Sequence, residues 1–174
     1  MRSRRFSLTS CSVTASPQTE RAARAAGLQV ASFANVGALD LALDGADQVD
    51  ETRWLIKGGG AHTREKLLAA AAQRFAVLVS SDKLVTRARP PVPLELVPHR
   101  ATATLERLED ARLREDTPPS PDGGLIADYV GGFRDPRMLS HRLDADPGVV
   151  AHGLFAPETV HCVLVANGWH VTAR

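Results

Sequence analysis

Apolar positions along this chain follow two spacings, and the switch between them lays out its elements. Leu39, Leu41 and Leu43 alternate with Asp40 and Ala42, the period-2 signature of a half-buried strand. Trp54-Leu55-Ile56 and Phe75-Ala76-Val77-Leu78-Val79 are short unbroken apolar runs that predict buried strands. Between them Leu67, Leu68, Ala71, Ala72 and Phe75 form a stripe at helical spacing, with Thr63 as the expected N-cap. Upstream, residues 13–16 predict the end of a strand, Pro17 opens a helix over 18–26, and Gly27 stops it. Residues 28–30 predict a further short strand. Strand, helix and strand in this order indicate a parallel α/β sheet, whose ligands bind beyond the carboxyl ends of the strands. Asp44, Lys57 and Lys83 fall at such ends.

Pro90, Pro91 and Pro93 interrupt the pattern and mark a boundary. Beyond them the spacing predicts strand 94–97, helix 102–112, a short strand near Leu113, strand 125–130, a helix opened by Asp135-Pro136, and a strand over 149–154. The order βαββαβ is that of a ferredoxin-like unit. Residues 160–165 return as a strand, and Asn167-Gly168 suggests a hairpin turn. The fold class expected is α/β: a doubly wound, mostly parallel sheet with a small ferredoxin-like α+β second domain. The division expected is 1–91 with 155–174 as the catalytic domain and 92–154 as the small one.

Composition narrows the function. The 174 residues are 44% apolar, enough for a core, and 21 basic against 20 acidic residues leave a net charge of +1. That balance argues against a nucleic-acid surface, and no apolar run is long enough to cross a bilayer. Cys11 and Cys162 lie in no pairing motif, which points to a reducing compartment, the cytoplasm. The first nineteen residues hold Arg2, Arg4 and Arg5 and no acid; a ragged or truncated start is the expectation there, ahead of a transit peptide.

Chemistry concentrates in one stretch: Asp44-Gly45-Ala46-Asp47, then Lys57-Gly58-Gly59-Gly60, then Thr63-Arg64-Glu65-Lys66. Three successive glycines let backbone N–H groups approach a ligand closely. Carboxylates and an ammonium around such a loop are the parts of a proton-transfer site for an oxygen-rich substrate. Taken singly, each part is ordinary: acids after a strand, a flexible turn, an acid in a first helical turn. The loop is not a phosphate-binding Walker loop, since no G-K-[ST] follows. The histidines show no metal spacing. His62 reads as a solvated loop histidine, and Trp54, Trp169 and Cys162 as core residues.

These three segments, in this order, resemble the ribose-5-phosphate isomerase A family. Asp82-Lys83, Pro93-Leu94-Glu95-Leu96-Val97-Pro98, Asp135-Pro136, Pro147-Gly148-Val149-Val150 and Gly153-Leu154-Phe155 extend the likeness from about Val13 onward. The resemblance implies interconversion of ribose 5-phosphate and ribulose 5-phosphate through an enediolate, in the pentose phosphate pathway, with no cofactor and no metal. It implies Glu65 as general base. It implies substrate contacts from Asp44, Gly45, Ala46, Asp47, Lys57, Gly58, Gly59, Gly60 and Lys83, and a homodimer or homotetramer. A first-turn position would hold Glu65 ionised through the helix dipole. Two departures stand out. The family's G-x-G-[ST]-x-[ST] loop has no counterpart in this sequence, and the segment from Lys57 to Glu65 is one residue shorter than the family pattern, with His62 at an apolar position. A catalytically impaired or purely sugar-phosphate-binding relative is the alternative these departures leave open.

Overall fold

A computed structural model describes residues 11–59, 62–167 and 170–173. Two compact units divide at Ala38/Leu39. In the first, β1 (Cys11–Ser12) and β2 (Gln29–Val30) pair in parallel across helix α1 (Pro17–Ala25). Ser16 caps that helix by accepting from the Thr19 N–H, Pro17 occupies its first turn, and Gly27 follows it at φ +81°. The strand therefore lies two residues before the predicted 13–16.

The second unit holds three sheets. A parallel trio β3 (Ala42–Asp44), β6 (Phe75–Ser80) and β13 (Cys162–Asn167) is extended antiparallel by β14 (His170–Ala173), in the order β14-β13-β6-β3. A second sheet, β12-β5-β4-β7, joins β4 (Gln48–Asp50), β5 (Leu55–Ile56), β7 (Leu84–Val85) and β12 (Leu154–Phe155). The third is antiparallel throughout: β8 (Val92–Leu96), β9 (Ala111–Leu113), β10 (Leu125–Tyr129) and β11 (Val149–His152), ordered β11-β8-β10-β9, with α3 (Ala101–Leu108) and α4 (Pro136–Asp144) between its strands. This is the ferredoxin-like order. Helix α2 (Thr63–Ala71) connects β5 to β6.

Two strands divide their side chains between two cores. Ile56 and Leu154 join Trp54, Val92, Leu94, Leu96, Leu108, Leu139 and Leu143 on one side. Their neighbours Leu55 and Phe155 join Val49, Phe75, Val77, Val79, Val163 and Val165 on the other. Successive residues of a strand face opposite ways, so β5 and β12 wall both clusters at once. Each such side chain, once buried, stabilises by about 1.5–3 kcal/mol.

Several local expectations are corrected. The alternation at Leu39, Leu41 and Leu43 yields regular strand only from Ala42; Leu39 makes an isolated bridge to Ala72. Leu43 is 61% exposed and Leu78 47%, on the face of the parallel sheet opposite Val77 and Val79. In α2 the predicted apolar stripe is not a buried one: Ala69 alone is buried and Leu67 is 55% exposed. Helix α3 stops at Leu108 because Glu109 turns to φ +56° and the following residues join β10 as β9. The run 149–154 splits at Gly153 between two sheets. Asp135 does cap α4, accepting from the Arg137 N–H at 2.8 Å. Asn167 and His170 are paired as a hairpin requires, while Gly168 and Trp169 lie outside the described residues.

Candidate active site

Three of the predicted residues meet at one ammonium. Asp44 ends β3, Lys57 follows β5, and Glu65 lies in the first turn of α2. Lys57 Nζ stands 2.8 Å from Asp44 Oδ2 and 3.3 Å from Glu65 Oε2, and donates to the Gly45 carbonyl at 2.5 Å. The Phe155 ring lies 5.6 Å from it, and Phe155 also meets Lys66 Nζ at 5.4 Å. The Lys57 side chain is 4% exposed, whereas Asp44 and Glu65 keep 32% and 28% of theirs open to solvent. Two carboxylates and an aromatic face thus surround an ammonium in a poorly hydrated place.

Glu65 does not behave as the helix dipole alone would have it. Burial pushes its carboxyl above the ordinary glutamate value and Asp44 adds to the push, with Lys57 opposing both. A carboxylate raised in this way is a stronger proton acceptor than an ordinary glutamate, as proton transfer near neutral pH would need.

Backbone geometry fixes Lys57. Its N–H donates to the Gly153 carbonyl at 2.9 Å, and a Cβ at Gly153 would stand 2.2 Å from the Lys57 carbonyl oxygen. Gly58 has φ +101°, and a Cβ there would strike His62 at 2.5 Å. Both positions require glycine. His62 is fully buried, contrary to the solvated loop residue expected; neither ring nitrogen makes a well-formed hydrogen bond among the described residues, although the Ala151 backbone lies close enough to favour its charged form. Burial lowers its pKa to about 4. Thr63 is the first helical residue rather than the cap: His62 takes the N-cap position without a side-chain bond, and the Thr63 hydroxyl donates instead to Glu95 Oε2 at 2.5 Å.

The other expected residues are less closely joined. Gly45 donates its N–H to Asp44 Oδ1, and Ala46 packs on the core that contains Phe155. Asp47 is exposed, held through its backbone N–H to Ile56, with its charge felt by Arg114. Lys83 pairs with Asp82 at 3.7 Å and makes no ion pair with the Asp44–Lys57–Glu65 group among the described residues. Gly60 lies outside the described residues. Asp50 is structural: its carboxylate accepts from the Thr52 N–H and hydroxyl, the Trp54 N–H and the Ala88 N–H.

Lys66, in the first turns of α2, and His152 and Glu95, which meet them, carried no expected role. Lys66 donates to the His152 carbonyl at 3.0 Å, and burial lowers its pKa to about 8. His152, also lowered to about 4 chiefly by burial and then by Lys66, is neutral near pH 7. Its Nε2–H faces Asp144 at 3.0 Å while Nδ1 accepts from the Leu154 N–H, which fixes the tautomer. Glu95 had a visible signal, a lone acid inside the apolar run 92–97; all five residues of β8 are buried.

Residues 11–168 match the family model described as ribose 5-phosphate isomerase A (phosphoriboisomerase A). A ribose-5-phosphate isomerase A of Roseiflexus castenholzii is 43% identical over 155 residues, and one of Methanosarcina acetivorans 36% over 154. Each alignment takes in 82% of this chain and 66% of the relative, so the chain spans just under two thirds of their length. A solved D-ribose-5-phosphate isomerase in complex with phospho-erythronic acid superposes with a TM-score of 0.86 at 34% identity, covering 94% of this chain and 77% of its own. The ribose 5-phosphate isomerase A of Methanocaldococcus jannaschii gives 0.85 at 29%, covering 93% and 76%.

Proposed function

Because the chain belongs to the ribose 5-phosphate isomerase A family, we propose that it interconverts ribose 5-phosphate and ribulose 5-phosphate with Glu65 as general base. The observation that carries this reading is the Lys57 ammonium between Asp44 and Glu65. In the forward direction Glu65 takes the proton from C2, and the electron pair forms the C1–C2 double bond of an enediolate. Glu65 returns that proton to C1 while the hydroxyl proton passes from O2 to O1. Lys57 and the N–H groups of Gly58, Gly59 and Gly60 stabilise the negative oxygen that develops. Asp44 and Asp47 bind sugar hydroxyls and assist ring opening, Gly45 and Ala46 complete that substrate-contacting segment, and Lys83 provides a point charge for substrate.

The same reading treats residues 92–154 as a small domain apart from 1–91 and 155–174, supported by a sheet drawn wholly from 92–152. No helix among the described residues is long and apolar enough to cross a membrane. The expected homodimer or homotetramer follows from the family resemblance and the cytoplasm from the two unpaired cysteines; sedimentation velocity would test the assembly.

Steady-state formation of ribulose 5-phosphate by the purified chain, with Glu65→Gln beside it, tests the function. Turnover lost in the variant by at least about a hundredfold is the expected result for a general base. A folded chain that binds the sugar phosphate without converting it would replace the isomerase by the binding alternative.

A further inference from the structure

The loop that carries Lys57 and leads to Glu65 is gripped on both sides of positions 60 and 61 by one sheet, the antiparallel β11-β8-β10-β9. On the near side, Arg114 leaves β9 with its N–H bonded to the Ile126 carbonyl. Its guanidinium forks onto Asp128 of β10, Nε to Oδ2 and Nη2 to Oδ1, both at 2.6 Å. The remaining nitrogen, Nη1, donates to the Gly59 carbonyl. The fork fixes the guanidinium plane, so the Gly59 peptide takes its orientation from β10. On the far side, fully buried Glu95 of β8 accepts from Thr63 at 2.5 Å and from the Ser120 hydroxyl at 2.5 Å. Arg64, next in α2, forks onto Asp122 at 2.7 Å. The first turn of α2, with Glu65 in it, is thereby tied to β8 and to the loop preceding β10.

We propose that Arg114 is a positioning residue: acting through Gly59, it holds the described start of the loop, Gly58 and Gly59, and with it Lys57, toward the reacting oxygen, as Glu95 aims Glu65 through Thr63. This rests on the isomerase reading above. Neither residue bonds to Asp44, Lys57 or Glu65, so its effect on them falls on their placement; Arg114 also feels the Asp47 carboxylate, and Arg114→Lys, which keeps that charge without the fork, separates the two effects. A displacement of about 1 Å in such groups costs on the order of a hundredfold in rate.

The test compares the chain with Arg114→Gln, Arg114→Lys, Asp128→Asn and the double variant of Arg114→Gln with Asp128→Asn. Steady-state kinetics and deuterium uptake by the peptide 57–65 are both read. Expected for Arg114→Gln is a fall in kcat of about 30–100-fold, a change in KM under about threefold, and faster uptake across 57–65 with uptake across β6 unchanged. Asp128→Asn adds nothing further to kcat once Arg114 is gone, since it acts through the same guanidinium. Should Arg114→Gln fail to fold, Arg114→Lys keeps the charge without the fork and is expected to lose kcat in the same direction. A folded Arg114→Gln with wild-type kcat, or with unaltered uptake across 57–65, overturns the proposal. A wild-type chain without turnover would instead remove the isomerase reading, and with it the kinetic half of the proposal. The uptake comparison would then decide the grip on Gly59 by itself.

Discussion

Lys57→Met removes the cation between two carboxylates and leaves the space filled by an apolar chain of similar length. At 3.3 Å and an effective dielectric constant of about 20, the attraction between Lys57 and Glu65 is about 5 kcal/mol. Glu65 is partly open to water, so the realised effect is smaller; an opposite charge at this range moves a carboxyl by about 1–3 pH units. At about 1.4 kcal/mol per unit, that is roughly 1.4–4 kcal/mol. The remaining influences, burial and Asp44, both favour the protonated acid. The expected outcome is a Glu65 titration at least one pH unit above that of the wild type, with the acidic limb of kcat/KM moved up by the same amount. Carboxyl carbon NMR of both proteins gives the midpoint directly, with Glu65→Gln assigning the signal, and it works even where turnover is lost. A Glu65 midpoint that stays in place or falls in Lys57→Met would refute the view that this ammonium holds Glu65 ionised.

The other predictions concern stability. His62→Leu removes two buried ring nitrogens that make no well-formed hydrogen bond among the described residues, with only the Ala151 backbone near them, and is expected to raise stability by about 1 kcal/mol, or about 2–4 °C in melting temperature. A lower melting temperature would show that those nitrogens are satisfied in solution. His62 titrates near 4 when folded against an ordinary 6.5. The unfolded chain therefore takes up the proton first, and stability falls as pH drops from 6.5 towards 4. The contribution from this residue is about 3 kcal/mol, and His62→Leu should flatten the acid side of the stability–pH curve by that amount in urea titrations. Asp50→Ala strips the acceptor from the Thr52, Trp54 and Ala88 donors. It should cost roughly 3 kcal/mol, read from the shift in denaturation midpoint; a loss under about 1 kcal/mol would mean those donors find other partners.

Elements with local punctuation were legible in the sequence. Pro17 and Gly27 bracket α1, Asp135-Pro136 opens α4, and the apolar run at Phe75 is a strand because five buried or pairing residues in succession fit nothing shorter. The motif order also groups Asp44, Lys57 and Glu65, which meet at the Lys57 ammonium. What stayed hidden was set by partners far along the chain. Thr63 has the residue type of a cap, but a carboxylate 32 positions away takes its hydroxyl. His62 has the neighbours of a loop residue, yet it is enclosed by the turn that Gly58 permits. The apolar residues of α2 have helical spacing, and spacing alone does not say whether a second layer covers them. Glu65 sits where a helix dipole would favour its charge, and the desolvation that outweighs the dipole depends on which groups surround it.

The sheet that grips the loop at Gly59 is also an excursion whose two outer chain segments meet. β8 and β11 are neighbours, with Leu94 opposite His152, although α3, β9, β10 and α4 intervene. In the parallel sheet β6 must find β13, with Ala76 opposite Cys162. Closing a flexible loop on the order of eighty residues costs about 4 kcal/mol in chain entropy. Once β8 and β11 have paired, most of that length no longer separates the two strands, and the search becomes one across a few tens of residues. The region from α3 to α4 can then gain or lose length at its turns without altering the gap that β6 and β13 have to bridge. Assembly of the parallel sheet is thereby insulated from the size of what lies between its strands.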